Sequence, residues 1–196
     1  MRPAVFLDRD GTLNEEVGYI NHIDRFRVFP WVGPSIKQLN DAGIPAILAT
    51  NQSGVARGYF PEALVHEIHG KLQSELGRHH ARLDAIYYCP HHPDGKLEAY
   101  RGRCECRKPS PGMMRTAARE LDIDLRESFM VSDRYQDLAM AFGVGAGGVL
   151  VLSGYGKGEH LYLRDTWPRQ PDYVAPDLLE AVDWILRQMR SRQGAR

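Results

Sequence analysis

The sequence predicts an α/β protein: a Rossmann-like, doubly wound parallel sheet with helices packed against it. Three observations support this prediction. Short apolar runs alternate along the chain with longer helix-like segments, which is the order of strand–helix–strand units. The runs are almost wholly apolar, as expected for parallel strands buried on both faces. Glycines fall at the ends of the units, where tight or left-handed backbone is required.

Each predicted element follows from these signals in turn. The six apolar runs predicted as strands are residues 4–7, 44–50, 85–88, 129–131, 148–152 and 173–175. The five segments predicted as helices are residues 31–42, 61–76, 111–121, 135–142 and 178–189. Gly43 separates the first helix from the second strand, and Pro109 and Pro111 suit the start of the third helix. We expect a single domain over residues 1–190, without a separate cap domain, and a disordered tail at residues 191–196.

The composition limits the class of partner. Lys plus Arg (25) equals Asp plus Glu (25), so the chain lacks the basic field that attracts nucleic acid, and we expect a small-molecule ligand. No apolar run reaches 18 residues, and the first strand begins almost at the N-terminus. We therefore expect neither a membrane span nor a secretion signal. A cytoplasmic monomer is the expected form.

Two carboxylates, Asp8 and Asp10, follow the first predicted strand directly and lead into Gly11. Open α/β sheets bind their ligands at the carboxyl ends of the strands, so this position favours a chemical role. Paired acids of this kind suit phosphoryl transfer, in which one Asp is the nucleophile and its neighbour handles a proton. The alternative is a polar turn or a helix cap.

A polar turn, Thr50-Asn51-Gln52-Ser53-Gly54, follows the second predicted strand. Hydroxyls and backbone N–H groups in such a turn can hold phosphate oxygens. A polar loop with a helix cap explains the turn equally well. The position of the turn favours a role in the site, because the turn lies at the same edge of the predicted sheet as Asp8.

Charged residues also precede the third helix and follow the fourth strand. Lys108 can offset the charge of a phosphate, and Arg107 can bind a second anion through its planar fork; a solvated basic pair is the alternative. Asp133, with Asp8, offers the hard oxygen ligands that Mg²⁺ requires. Asp137 either supports this site or only favours the helix N-terminus.

The three cysteines of the chain all lie in one segment without periodicity, residues 89–108. Cys89 and His91 form a C-x-H pair, and after 12 residues Cys104 and Cys106 form a C-x-C pair. Three thiolates and one imidazole complete a tetrahedral Zn²⁺ shell, which predicts a structural zinc loop over residues 89–106. We expect His91 as the ligand rather than its neighbour His92. A reactive thiol or a redox pair is the alternative.

These motifs, in this order and each at the end of a strand, resemble the four motifs of the haloacid dehalogenase (HAD) superfamily. Within it, the chain resembles the D-glycero-D-manno-heptose 1,7-bisphosphate 7-phosphatases, with the histidinol-phosphatases as near neighbours. The resemblance extends over nearly the full length. Its most specific segments are residues 18–20 (GYI), 50–58 (TNQSGVARG), 88–93 (YCPHHP) and 104–109 (CECRKP).

The resemblance implies an Mg²⁺-dependent phosphatase that acts through an aspartyl-phosphate. Asp8 is then the nucleophile, and Asp10 protonates the departing sugar oxygen and later activates water. Asp8, Asp133 and the main-chain oxygen of Asp10 are the implied Mg²⁺ ligands. The implied substrate is the heptose bisphosphate, which loses its 7-phosphate; histidinol phosphate is the alternative.

Further roles follow from the same resemblance. Thr50 and Asn51 are implied to bind the phosphoryl group or to orient Asp10, and Lys108 to steady the nucleophile and the phosphate. Because no inserted cap domain is visible, we expect loop residues to bind the sugar phosphate, with Arg107 at the far phosphate. The candidate substrate-binding residues are Glu16, Val17, Gly18, Tyr19, Ser53, Arg57, Arg107 and Arg134. The chain has Ser132-Asp133-Arg134 where Gly-Asp-Lys is more usual in the family.

Overall fold

A computed structural model of the chain describes residues 1–194 and contains a six-stranded parallel sheet. The strands are β1 (Val5–Leu7), β2 (Ala46–Asn51), β3 (Ala85–Cys89), β4 (Phe129–Ser132), β5 (Gly147–Val151) and β6 (Tyr173–Ala175). Their order is β3-β2-β1-β4-β5-β6, and each neighbouring pair is parallel. The predicted α/β class is confirmed, and each predicted strand lies within two residues of an observed one.

Helices cover both faces of the sheet. The α-helices are α1 (Val32–Asp41), α2 (Glu62–Gly77), α3 (Gly112–Leu121), α4 (Tyr135–Gly143), α5 (Gly156–Leu163) and α6 (Leu178–Gly194). Single-turn 3-10 helices lie at Ile23–Arg25, Glu98–Tyr100, Leu125–Glu127 and Arg164–Thr166. The five predicted helices are all present.

Two segments differ from the prediction. Helix α5 was not predicted, because Gly156 and Gly158 disfavour a helix and its apolar residues show no helical period. Helix α6 continues to Gly194, so residues 191–194 are helical where a disordered tail was expected. The Arg192 guanidinium packs 5.1 Å from the centre of the Phe129 ring, which gives the extra turn a partner. Residues 195–196 lie outside the described part of the chain.

The core has two layers, one on each face of the sheet. On β1, Val5 and Leu7 join the layer formed with α1, α2 and α6, whereas Phe6 joins the layer formed with α3 and α4. This alternation is that of a strand whose successive side chains point to opposite faces. Because both faces are covered, the central strands are apolar at almost every position, as the sequence predicted.

The order of the strands creates a crevice at one edge of the sheet. The chain builds β1, β2 and β3 outward in one direction and then returns to place β4, β5 and β6 on the other side of β1. Ligands of doubly wound sheets bind at this switch point, outside the carboxyl ends of the strands. Asp8 directly follows β1 and Asp133 directly follows β4, so the topology brings the two acids together.

We predict that Leu48→Ala lowers the free energy of unfolding by about 2–5 kcal/mol, because it leaves a cavity in the larger core layer. Leu48 is fully buried on β2. The matched control is Leu161→Ala on α5, whose side chain is 55% exposed and whose loss should change stability by less than about 0.5 kcal/mol. Urea denaturation measures both values, and equal effects would contradict the assigned core.

Candidate active site

The carboxyl edge of the sheet holds a cavity of about 300 Å³. Loops after β1, β2, β4 and β5 and the loop before α3 supply its walls. The sequence-predicted residues that line it are Asp8, Asp10, Glu16, Gly18, Tyr19, Thr50, Asn51, Ser53, Arg107, Lys108, Asp133 and Arg134. The fold therefore gathers in one place side chains that are up to 126 positions apart in the sequence, from Asp8 to Arg134.

Lys108 joins two carboxylates at the centre of the site. Its Nζ donates to Asp8 Oδ1 at 2.8 Å and to Asp137 Oδ2 at 2.6 Å, and all three side chains are almost completely buried. Burial acts against the charge of Lys108, but the Asp137 and Asp8 carboxylates raise its pKa above the ordinary value. Lys108 is therefore a fixed cation beside Asp8, and Asp137 supports the site.

Ser132 strengthens the same network. Its hydroxyl donates to Asp137 Oδ2 at 2.9 Å and accepts the Arg134 N–H at 3.1 Å. The departure from the usual family glycine thus adds hydrogen bonds between the carboxylate that holds Lys108 and the backbone after Asp133. The serine is compatible with the site because its side chain is fully buried and bonded.

Asp133 is poised to hold a cation. Its Oδ2 accepts the Tyr155 N–H at 2.8 Å, whereas its buried Oδ1 has no hydrogen-bond partner among the described residues. Burial, and then the nearby Asp8 charge, raise the pKa of Asp133 to about 8. Burial also raises the pKa of Asp8, although Lys108 lowers it. Two buried carboxylates, one with a free oxygen, fit a divalent cation with hard oxygen ligands.

Asp10 has different surroundings from Asp8. Its Oδ1 accepts from Asn14 Nδ2 at 3.0 Å, and its Oδ2 accepts from Arg9 Nη2 at 3.0 Å and from Gln52 Nε2 at 2.9 Å. Gln52 Nε2 also donates to Thr50 Oγ1 at 3.0 Å. Gln52 therefore links the Thr50 hydroxyl to the Asp10 carboxylate. The donors fix the carboxylate at the cavity wall.

Asn51 positions the backbone that carries Lys108. Its Nδ2 donates to the Lys108 carbonyl at 3.1 Å, and its Oδ1 accepts the Lys108 N–H at 3.0 Å. This pair of bonds ties the turn after β2 to the segment that follows the cysteines. Asn51 lines the cavity as well, so it can reach a bound phosphoryl group while holding Lys108 in place.

Two of the candidate substrate-binding residues lie away from this cavity. Val17 packs against the core and lines an adjoining pocket with Glu16 and Tyr155. Arg57 points to the cysteine segment, where its Nη2 lies 2.9 Å from His92 Nε2. Neither residue lines the main cavity. The apolar side chain of Val17 packs against the core, and the Arg57 guanidinium contacts His92.

Arg134 is held by helix α5, the element absent from the sequence prediction. Its guanidinium lies 4.3 Å from the centre of the Tyr155 ring, and its Nη1 lies 3.5 Å from Glu159 Oε1. Such cation–π and ionic contacts limit the freedom of the side chain. Tyr155, directly before α5, thus forms part of the cavity wall, and together with Glu159 it holds the Arg134 guanidinium there.

The cysteine segment forms a compact cluster of ligand atoms. Cys89 Sγ lies 3.4 Å from Cys104 Sγ and 3.7 Å from His91 Nδ1, and Cys106 Sγ lies 3.2 Å from Cys104 Sγ and 3.5 Å from His91 Nδ1. Donors of a tetrahedral zinc shell with bonds near 2.3 Å lie about 3.8 Å apart, and disulfide sulfurs lie about 2 Å apart. The four atoms therefore fit a metal better than a disulfide.

His92 has a separate set of partners. Its Nε2 lies next to Arg57, and its Nδ1 accepts the Asp94 N–H at 3.0 Å. Burial, followed by the charges of Arg107 and Arg57, lowers the pKa of His92. His91, and not His92, lies in the cysteine cluster. The cluster adjoins the cavity through Arg107, whose Nη1 donates to the His91 carbonyl at 3.2 Å.

Several residues of the site had no assigned role in the sequence analysis. They are Arg9, Asn14, Gln52, His69, Tyr155 and Glu159. Arg9 lies between Asp8 and Asp10 in the sequence, and Asn14 lies four positions after Asp10. Both therefore carry a local signal. His69 and Glu159 carry none, because only the packing of α2 and α5 brings them to the site.

Within residues 1–194, no helix has both the length and the apolar character needed to cross a bilayer.

The fold and the site together define a hydrolase of the HAD type, and a family model described as HAD-hydrolase-like matches residues 105–181. The chain is 43% identical to the D-glycero-D-manno-heptose-1,7-bisphosphate 7-phosphatase of Thermosynechococcus vestitus, over 97% of this chain and 99% of the relative. It is 38% identical to the D-glycero-beta-D-manno-heptose-1,7-bisphosphate 7-phosphatase of Escherichia coli K12, over 95% and 90%. The chain therefore belongs to the heptose-bisphosphate 7-phosphatase family of HAD hydrolases, which are phosphoric monoester hydrolases.

A solved structure supports the same assignment. The D,D-heptose 1,7-bisphosphate phosphatase of B. bronchiseptica, complexed with magnesium and phosphate, superposes with a TM-score of 0.82 at 34% identity, covering 96% of this chain and 99% of that one. The expected resemblance is thus confirmed for the family and the fold.

We predict that Gly11→Ala lowers phosphatase activity by about 100-fold, because a Cβ at Gly11 collides with Asp133 Oδ2 and displaces a carboxylate of the site. The backbone of Gly11 also has a φ of 80°. Gly43→Ala is the matched control, since Gly43 has a φ of 70° but no atom within 4 Å of the added Cβ. Initial rates of phosphate release measure both variants. Equal activities after correction for the folded fraction would contradict the placement of Asp133.

Proposed function

We propose that this chain removes the 7-phosphate of D-glycero-D-manno-heptose 1,7-bisphosphate through an aspartyl-phosphate on Asp8. One observation carries the proposal: the Asp8–Lys108 pair and two guanidinium groups, Arg107 and Arg134, line one cavity. A sugar with a phosphate at each end needs a reaction centre and a separate anion-binding group. The names of the relatives support the same substrate and do not favour histidinol phosphate.

In the proposed reaction, an Asp8 carboxylate oxygen attacks phosphorus, and the bond from phosphorus to the sugar oxygen breaks. The electron pair goes to the sugar oxygen, which takes a proton from the Asp10 carboxyl. Asp10 then removes a proton from water, whose oxygen attacks phosphorus and releases phosphate from Asp8. Lys108 supports this sequence because its ammonium group lies 2.8 Å from the nucleophile and attracts the incoming phosphate.

The proposed Mg²⁺ ligands are Asp8, Asp133 and the main-chain oxygen of Asp10. Bound magnesium supplies positive charge that offsets the repulsion between the carboxylates and the phosphate. The unpaired Asp133 Oδ1 supports this assignment, as does the magnesium in the B. bronchiseptica phosphatase. Between turnovers the residues of this chain keep the site formed, because Tyr155 N–H and Lys108 hold Asp133 and Asp8 in position.

The far phosphate is assigned to Arg107 and Arg134. Both line the cavity. The Arg107 guanidinium donates to the His91 carbonyl, and the Arg134 guanidinium packs on the Tyr155 ring. Guanidinium groups bind phosphate through paired, charge-assisted hydrogen bonds. Glu16, Gly18, Tyr19 and Ser53 are proposed to contact the sugar. We also propose that the protein is a single-domain, cytoplasmic monomer.

Cys89, His91, Cys104 and Cys106 are proposed to hold a structural Zn²⁺. All four positions of a tetrahedral shell are filled by protein atoms, which suits a structural ion. The ion then fixes the loop that carries Arg107 and Lys108, which follow Cys106 by one and two residues. Zinc binding and substrate binding are thereby linked through the backbone of residues 104–108.

Phosphate release from heptose 1,7-bisphosphate, heptose 7-phosphate and histidinol phosphate, with and without added Mg²⁺, tests the proposed substrate. We expect the highest kcat/KM for the bisphosphate, and a value about 10- to 100-fold lower for the monophosphate, which leaves Arg107 and Arg134 without their anion. Phosphorus NMR of the product shows which phosphate is lost. A higher kcat/KM for histidinol phosphate, or loss of the 1-phosphate, would refute the proposal.

Asp8→Asn is the control for the chemistry in this experiment. The amide keeps the shape of the side chain but removes the nucleophilic charge, so we expect turnover to fall by at least about 1,000-fold. Circular dichroism confirms that the variant is folded. A rate close to that of the wild type would rule out covalent catalysis by Asp8.

We predict about one zinc per chain in protein purified without chelator, from the closed four-ligand shell. His91→Ala should reduce this content and raise KM for the bisphosphate, because without the metal the loop that carries Arg107 is no longer fixed. His92→Ala is the matched control, since the neighbouring ring lies outside the ligand cluster, and it should retain the zinc. Elemental analysis decides: equal zinc contents in the two variants would contradict the assigned shell.

A further inference from the structure

A buried arginine lies between the two aspartates of the site. Arg9 is only 1% exposed, and its guanidinium contacts Asp10 through Nη2 at 3.0 Å and through Nε at 3.3 Å. Nη2 also donates to Gln52 Oε1 at 2.9 Å. These bonds define where the Asp10 carboxylate points. The other terminal nitrogen, Nη1, needs an acceptor of its own in the interior.

His69 on α2 is that acceptor. The side chain is almost fully buried, and its Nε2 lies 3.4 Å from Arg9 Nη1. A guanidinium group can only donate, so the imidazole must present a lone pair at Nε2 and carry its proton on Nδ1. Burial, and then the charge of Arg9, lower the pKa of His69 to about 3, which is consistent with a neutral ring near neutral pH.

We propose that His69 is a positioning residue of the phosphatase reaction: its neutral imidazole fixes the Arg9 guanidinium, which in turn aims the Asp10 carboxyl at the departing oxygen. The His69–Arg9–Asp10 chain links helix α2, outside the site loops, to the group that transfers the proton. This inference rests on the role proposed for Asp10. It goes beyond that role because it assigns a function to a histidine that does not line the cavity.

The chemistry of the leaving group makes the proposal testable. When the bond from phosphorus to a primary sugar oxygen breaks, the electron pair goes to an oxygen that must be protonated, and Asp10 supplies that proton. When 4-nitrophenyl phosphate reacts, the phenolate leaves as an anion and needs no proton. Since kcat/KM includes only steps up to the departure of the leaving group, a misaimed Asp10 lowers kcat/KM for the sugar phosphate alone.

The experiment compares His69→Met with His69→Gln in the full chain. Both residues are unbranched and have similar helix propensities, but only glutamine offers Arg9 a strong acceptor. We expect His69→Met to lower kcat/KM for the sugar phosphate about tenfold, part of the total that general acid catalysis contributes. The value for 4-nitrophenyl phosphate should change by less than about twofold, and His69→Gln should keep both values within about twofold of the wild type.

His66→Met is the matched control. His66 lies on the exposed side of the same helix and contacts Tyr88, as His69 does, with its Nε2 3.0 Å from the Tyr88 hydroxyl. We expect it to leave both substrates unaffected. Arg9→Lys is a second test of the same chain, because lysine keeps the charge but lacks the planar fork. It should produce the same difference between substrates as His69→Met.

Three results would overturn the inference. They are an equal loss of kcat/KM with both substrates in His69→Met, no loss with either, and a loss in His69→Gln as large as in His69→Met. If His69→Met does not fold, the comparison of substrates in Arg9→Lys decides the question. The sugar phosphate in the assay is whichever primary one the wild type hydrolyses best, so failure on heptose bisphosphate counts against the proposed substrate and not against His69.

Discussion

The structure depends on how the negative charge of three buried carboxylates is offset at the carboxyl edge of the sheet. Asp8, Asp133 and Asp137 are almost or completely buried there, and burial, together with the neighbouring carboxylates, raises the pKa of Asp8 and of Asp133. Lys108 neutralises part of the charge by contacting two of them, whereas Asp133 keeps one oxygen without a described partner. This imbalance is the physical reason for proposing a divalent cation, and it explains why the loop that carries Lys108 needs the support of Asn51 and of the cysteine cluster.

The two acids of the first motif differ in their surroundings, and the difference matches the two roles proposed for them. Asp8 faces an ammonium group within a buried pair, which suits a nucleophile that must remain charged until it bonds to phosphorus. Asp10 is held by a guanidinium and two amides at the cavity wall, which fixes the direction of the carboxyl group that is proposed to transfer the proton. Positions only two apart in the sequence can differ in this way because both lie in the turn that follows β1, where the side chains no longer alternate between the two faces of the sheet.

Much of the fold could be predicted from the sequence, since buried parallel strands and their helices leave clear apolar patterns. The positions of Asp8, Asp133 and the cysteine segment at the ends of strands could also be predicted, because each follows or ends an apolar run. Helix α5 could not be predicted, because its glycines oppose a helix and it is stabilised by packing against β5 and the 3-10 helix Arg164–Thr166. The contacts of His69, Arg57 and Glu159 likewise depend on where separate helices and loops meet, which local patterns do not record. The extension of α6 to Gly194 shows that a polar terminus can continue a helix once that helix is anchored by its apolar face.

The central claim is that phosphorus becomes bonded to Asp8 beside a bound cation. A crystal structure of the chain with Mg²⁺ and beryllium fluoride, which mimics a phosphoryl group, tests it most directly. We expect beryllium bonded to an Asp8 carboxylate oxygen, with Lys108 Nζ in contact with the fluorides and Mg²⁺ bound to Asp8 and Asp133. Beryllium fluoride bound to another residue, or a metal ion placed away from Asp133, would contradict it.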